Sequence, residues 1–162
     1  GILQARVLGE IAAMWALRAV YSSSEPKAQA TALLIGDATG QFVRVVDGFE
    51  ELRFDAWIGN ADEFSEAVRA ILDHPEVSVR GAEPAEAAAD RFAAGVAIVE
   101  QGPFPAAIVS HGRVLSAYLA RLLGLAEPFD LWRSIPMPGY ACIDLDIPRP
   151  HLLAPFRGIE DA

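Results

Sequence analysis

The chain has 162 residues, 52% of them hydrophobic, enough for one domain with a buried core and incompatible with general disorder. Its 13 Lys and Arg stand against 22 Asp and Glu, a formal net charge of −9, which argues against a nucleic-acid surface and confines any anionic ligand to a small one in a local pocket. No apolar run approaches the roughly 20 residues that cross a bilayer, and the first residues lack a signal-peptide pattern, so no membrane partner is expected.

Leu3, Val7, Leu8, Ile11 and Trp15 recur at helical spacing, which predicts that the chain opens inside a helix, and no leader is expected before it. "RAVYSSS", ending at Ser24, is a short strand that opens into a loop, and "EPKAQATALLIGDA" continues as a helix. "QFVRVVDGFEELRF" is rich in β-branched and aromatic residues and is punctuated by Asp47 and Gly48, which predicts a strand followed by a functional or edge loop. Phe64, Val68, Ile71 and Leu72 form one apolar helix face that starts near Asp62, a candidate N-cap, and stops before Pro75.

"PEVSVRGAEP" is a connection, and Pro84 suits an early position of the helix that runs through "AEAAADRFAAGVAIVEQ". Such an Ala-rich helix packs closely, and it offers a surface for a homodimer. "AAIVS" is a short buried strand, "RVLSAYLARLLG" a helix ending at Gly124, and "YACIDLDI" a final strand before a Pro-rich tail that holds His151. That strand carries Cys142, the lone cysteine, so no internal disulfide or cysteine-based zinc site is expected; a reducing, cytoplasmic setting is the default. No metal or other cofactor is implied.

Strands alternating with helices predict a single α/β domain over residues 1–162, a three-layer α/β/α sandwich with a mostly parallel sheet covered on both faces. Ligands of such sheets gather beyond the carboxyl ends of the strands. His111 lies at the end of "AAIVS" and Ser22 to Ser24 at the end of "RAVY", so two strand ends offer polar groups to one crevice. Gly112 permits close backbone approach, and the helix that follows would aim free N–H groups and its positive dipole end at an anion.

Three blocks, in order, resemble the histidine phosphatase superfamily, the group that includes the cofactor-dependent phosphoglycerate mutases. "RAVYSSSEPKAQATA" is similar to its Tyr-Ser-Ser-Pro-x-x-Arg-Ala-x-x-Thr-Ala block, "FEELRFDAWIG" to Leu-x-Glu-x-x-Phe-Gly-x-Trp-x-Gly, and "AAIVSHGRVLSAYLARLLGL" to Val-Val-Ser-His-Gly-Gly-Val-Ile-Arg. "RGAEPAEAAADRF" is similar to the Gly-Gly-Glu-Ser helix start between the last two. The resemblance implies the phosphoglycerate mutase-like fold and covalent phosphoryl transfer. In that family a histidine from an N-terminal Arg-His-Gly motif becomes phosphohistidine, a second histidine and two arginines hold the phosphoryl oxygens, and a carboxylic acid protonates the leaving oxygen. His111 matches the second histidine and Glu51, not Glu50, the acid; Lys27 stands at the family arginine, keeping its charge without the bidentate fork.

The Arg-His-Gly motif is absent from these residues; His74 lies at a helix exit and His151 in the tail. "GILQA" is similar to the family's Leu-Thr-x-x-Gly-x-x-Gln-Ala pattern, which places Gly1 where the missing block ends. That block supplies a central strand, so its removal is expected to leave a slot in the sheet. The resemblance therefore implies a hydrolase of a small phosphomonoester whose nucleophile lies upstream; the chain lacks the long insert of the mutases, which favours phosphatase. The alternative is an inactive phosphate-binding or scaffolding pseudoenzyme.

Blander roles stand beside these. Ser23 and Ser24, with Lys27 and Gly112, are the candidate phosphate-binding residues, yet serine suits any strand-to-helix turn. Ser110 adjoins His111 but lacks a nucleophile elbow and an acid partner. Trp15 and Trp57 read as core or pocket wall, Arg113 as a solvated helix-start arginine, and Arg80 and Glu83 as capping or solvated residues. The partner is a small phosphorylated substrate or inorganic phosphate; the segment from Asn60 to Gly81 carries no legible code for which.

Overall fold

A computed structural model of the protein describes residues 1–56, 58–145 and 150–161. α1 (Ile2–Ala13) leads to β1 (Ala19–Ser22), α2 (Pro26–Thr39) and β2 (Val43–Val45). α3 (Ala61–Asp73), α4 (Ala85–Val99), β3 (Ala106–Val109) and α5 (Gly112–Leu123) follow, and α6 (Pro128–Ser134), β4 (Gly139–Asp144) and β5 (His151–Gly158) close the chain.

The sheet is organised by β1, which lies between β2 and β3 and runs parallel to both; Val20 faces Val43 and Ala107, and Ser22 faces Val45 and Val109. All of β1 is buried because helices cover both faces. Ala19 and Tyr21 join a core with α3, α4 and α5, whereas Val20 joins Leu8, Ala12, Ala32 and Ile35 from α1 and α2. The α/β/α layering is thus as predicted, and among the described residues β3 pairs with β1 alone while β4 and β5 form a separate two-stranded sheet. β1 is hydrogen-bonded on either side, which satisfies its buried backbone.

Three elements depart from the predicted pattern. α1 buries Ala5, Leu8, Gly9, Ile11 and Ala12 and leaves Leu3 and Val7 exposed. The reason is its close approach to α2: a Cβ on Gly9 would lie 2.9 Å from the Leu34 carbonyl oxygen, so small residues form the seam and counting large ones points to the wrong face. α3 is capped by Asn60 rather than Asp62, its side-chain oxygen accepting from Glu63 N at 2.8 Å; the helix ends before Pro75, as predicted. The supposed tail is β5, antiparallel to β4, with Asp144 opposite His151 and Gly139 opposite Gly158. Pro155 is tolerated on this outer strand, where the register slips between the Tyr140 and Cys142 pairs and no donor is required of it. α6 was not legible, being a single short amphipathic stretch after Pro128. The last residues of "YACIDLDI", Asp146 and Ile147, lie outside the described residues.

α4 does pack closely, and through glycine rather than alanine alone. A Cβ on Gly95 would stand 2.6 Å from the Phe49 ring, and one on Gly48, whose φ is +104°, would overlap the Arg91 carbonyl oxygen. The segment after β2 is thereby pressed across α4 beside the carboxyl ends of β1 and β3. Gly124 ends α5 with φ +66°, the left-handed conformation expected of a glycine stop. Among the described residues no helix is long and apolar enough to cross a membrane.

Candidate functional site

Because β1 and β3 are parallel neighbours, Ser22 opposite Val109, the residues that follow them emerge side by side. Ser23 N–H extends the ladder to the Val109 carbonyl at 3.0 Å, and His111 turns into the N-cap position of α5. His111 Nε2 lies 3.0 Å from Ser23 Oγ and 3.7 Å from Glu25 Oε2. Ser23 is fully buried, and its Oγ accepts from Glu25 N–H at 3.0 Å. The two strand ends predicted to share one crevice therefore lie together, with His111 and Ser23 in contact.

Its wall is the segment from Asp47 to Arg53, held by a residue that the sequence did not single out. Arg91, on α4, donates to the carbonyls of Gly48 and Glu50 at 2.8 Å each and of Glu51 at 3.0 Å. The same guanidinium grips Glu83 through two bonds, of 2.9 and 2.8 Å. Glu83, expected to cap a helix or be solvated, does neither, because its side chain is only 6% exposed and held by Arg91. A short acidic side chain cannot be left in such a place unpaired, and the planar fork of Arg91 supplies the matching donors.

Burial alone would raise the Glu83 carboxyl, but hydrogen bonds from Arg91 and Arg53 N–H and the charges of both arginines outweigh it, so it titrates below its ordinary value of 4.5. Glu50 is also lowered: burial opposes, while the Ser24 hydroxyl, backbone N–H groups and Arg91 prevail. Arg91 is correspondingly raised, its burial outweighed by Glu83, Glu50 and Glu51. A lowered folded-state value means that the unfolded chain binds more protons below about pH 4.5, so this stability is present above that pH and is lost as pH falls through the folded value. In urea titrations from about pH 6 to pH 3, Glu83→Gln should therefore flatten the loss of stability relative to the parent chain. Parallel profiles would dismiss the assignment.

Glu51 is placed differently from a free acid. Its Oε1 accepts from Leu52 N at 2.8 Å and Val114 N at 3.0 Å, and its Oε2 lies 3.2 Å from Arg113 Nε. The N–H groups at the start of α5, predicted to await an outside anion, are thus taken by a carboxylate of the chain itself. Arg113 is correspondingly not solvated: it is paired with Glu51 and lies over Phe54 and Phe64, with its Cζ 6.0 and 5.7 Å from their ring centroids. Ser24 is exposed and donates to Glu50 Oε1 at 2.8 Å, and Ser110 donates to the Phe49 carbonyl at 2.7 Å. Lys27 is exposed on the first turn of α2, and its ammonium has no ion-pair partner among the described residues.

Gly112 faces Trp132 at ordinary contact distance, so room for a ligand is not what requires glycine there. Trp15 packs on Tyr140 with centroids 5.0 Å apart, as predicted for a core residue, while Trp57 lies outside the described residues. Arg80 pairs with Glu63 at the surface. Among the described residues no group of three or more His, Cys, Asp or Glu side chains is arranged for a metal ion. A cavity of about 760 Å³, lined by Leu72, Ala89, Ala117, Arg121 and Pro128 among others, lies away from His111. Sequence reading missed Arg91 and Glu25; the only signal for the first was its place eight residues after Glu83, and the second had none.

The chain matches the profile of the histidine phosphatase superfamily (branch 1) over residues 1–148. No curated protein sequence matches it. Among solved structures it is similar to mycobacterial hydrolase 2, with TM-score 0.78 and 22% identity over 95% of this chain and 76% of that one. A mycobacterial glucosyl-3-phosphoglycerate phosphatase in complex with VO3 has TM-score 0.77 and 22% identity, over 95% and 83% of the two chains. For a phosphoserine phosphatase from Entamoeba histolytica, in complex with 3-phosphoglyceric acid, the values are 0.74 and 20%, over 98% and 82%. At these identities the likeness is one of fold.

Proposed function

The chain belongs to branch 1 of the histidine phosphatase superfamily, and on that basis we propose that its protein is a phosphoglycerate mutase-like phosphatase of a small phosphomonoester. The observation that carries this is the convergence of His111 and Ser23 at two adjoining strand ends, beside a segment that delivers Glu51. In the proposed reaction an imidazole nitrogen attacks phosphorus, the bond to the leaving oxygen breaks, and Glu51 gives its proton to that oxygen; water then attacks phosphorus, passes a proton to Glu51, and breaks the phosphorus–nitrogen bond to release phosphate. His111, with Lys27, Ser23, Ser24 and the Gly112 backbone, holds the phosphoryl oxygens as charge grows on them. Because both Glu51 oxygens already accept hydrogen bonds, its carboxyl has to leave Val114 N–H and Arg113 to deliver the proton. On this reading the attacking histidine is neither His74, at the end of α3, nor His151, at the start of β5; the family resemblance assigns that role to an Arg-His-Gly motif that residues 1–162 do not contain.

A second reading, phosphate binding without turnover, is favoured by one observation: carboxylates of the chain already occupy the donors in the crevice. The full-length protein should hydrolyse p-nitrophenyl phosphate and bind orthovanadate, and His111→Ala should lower kcat by about 10²-fold or more, the loss typical of one transition-state donor. Vanadate binding without hydrolysis would select the second reading. Neither binding nor hydrolysis would end both.

A further inference from the structure

Glu25 stands at the N-cap of α2 with an extended backbone, yet its side chain does not cap that helix. It reaches across the crevice instead. Oε1 accepts from Glu51 N–H at 2.6 Å, and Oε2 lies 3.7 Å from His111 Nε2. A backbone N–H and an imidazole nitrogen are the kinds of donor that a phosphoryl oxygen uses; here one carboxylate accepts from the first and lies beside the second, whose Nε2 is hydrogen-bonded to Ser23 Oγ at 3.0 Å.

We propose that Glu25 is an internal competitor for the anion position of this crevice: a phosphoryl group gains His111 and Glu51 N–H only by displacing the Glu25 carboxylate. This rests on the phosphate-site reading above and deepens it, because it names the residue that sets affinity and selects ligands by charge. The two sides of the contact differ in freedom. The Glu25 side chain is 40% exposed and can turn to water, whereas that of His111 is 12% exposed and fixed beside buried Ser23.

Nearby cations are committed elsewhere. Arg113 is paired with Glu51, and Arg91 with Glu83, while Glu50 faces Ser24, Gly48 N–H and Arg91. Lys27, exposed on the first turn of α2, has no ion-pair partner among the described residues. An incoming phosphate therefore meets Glu25 as a like charge at short range, and both anions approach the same His111 nitrogen. Glutamine at position 25 keeps the shape and an oxygen for Glu51 N–H but removes the charge.

Inorganic phosphate titrated calorimetrically into the parent chain, Glu25→Gln, Glu25→Ala and His111→Ala gives the test. Both Glu25 variants should bind about tenfold or more tightly than the parent, and His111→Ala more weakly. The ring-proton resonances of His111 in the ligand-free protein should shift on Glu25→Gln, and those of the two proteins should converge once phosphate is bound. If the parent binds phosphate and His111→Ala loses it, but both Glu25 variants bind equally or more weakly, the competition is overturned while the phosphate site stands. If no variant and no parent binds phosphate, the site reading falls and the competition with it.

Discussion

Arg91→Ala should destabilise the protein by about 3–5 kcal/mol, the cost of breaking a buried ion pair by removing one partner. Its guanidinium joins the Glu83 carboxylate, 6% exposed, to three carbonyls of the segment from Gly48 to Glu51. Truncation leaves the buried Glu83 carboxylate with only Arg53 N–H and the exposed Arg53 guanidinium, and frees the wall that carries Glu51. Arg91→Lys should recover only part of the loss, because one ammonium cannot reproduce a fork that serves two carboxylate oxygens and a row of carbonyls at once. A double-mutant cycle separates the pair from the carbonyls: with Glu83→Gln already present, Arg91→Ala should cost distinctly less. Urea unfolding is the measurement. A loss under about 1 kcal/mol for Arg91→Ala would place the segment's stability elsewhere.

Phe49→Ala should cost a similar amount, about 3–5 kcal/mol, as for other buried aromatic truncations. Phe49 is fully buried, its ring centroid 4.8 Å from that of Phe92 and its edge lodged where Gly95 has no side chain. Its carbonyl receives the Ser110 hydroxyl, next to His111, so the same residue ties the wall to the strand end. The notch predicts an unusual coupling. Gly95→Ala in the parent chain forces its new methyl to within 2.6 Å of the Phe49 ring and destabilises, whereas in Phe49→Ala the same methyl fills part of the vacated space. Equal effects of Gly95→Ala in the two backgrounds would show that ring and glycine do not meet.

These two residues mark where sequence reading reached and where it stopped. His111 and Ser23 could be paired in advance because each follows a short apolar strand, and parallel strands under helices deliver their ends to one side. Glu51 was found through a gapless motif resemblance, but its engagement with Arg113 and the start of α5 was not, since Glu51 and Val114 are brought together by the packing of α4 rather than by spacing. Arg91 and Glu25 were invisible for the same reason. Each acts on backbone groups, and a backbone N–H or carbonyl has no residue letter.

The α/β alternation, the helix stops at Gly124 and before Pro75, the family, and the strand end that carries His111 are all legible in the residue order. Those follow from local periodicity, turn chemistry and motif order, which are written in neighbouring residues. Long-range packing, by contrast, is what makes α1 bury its small residues, pairs the tail as β5, bonds β1 on both sides, and sets the Glu25 and Glu51 carboxylates against the backbone N–H groups beside His111. Each of those depends on how closely distant segments approach. That distance is set by the whole packed core and by no local pattern.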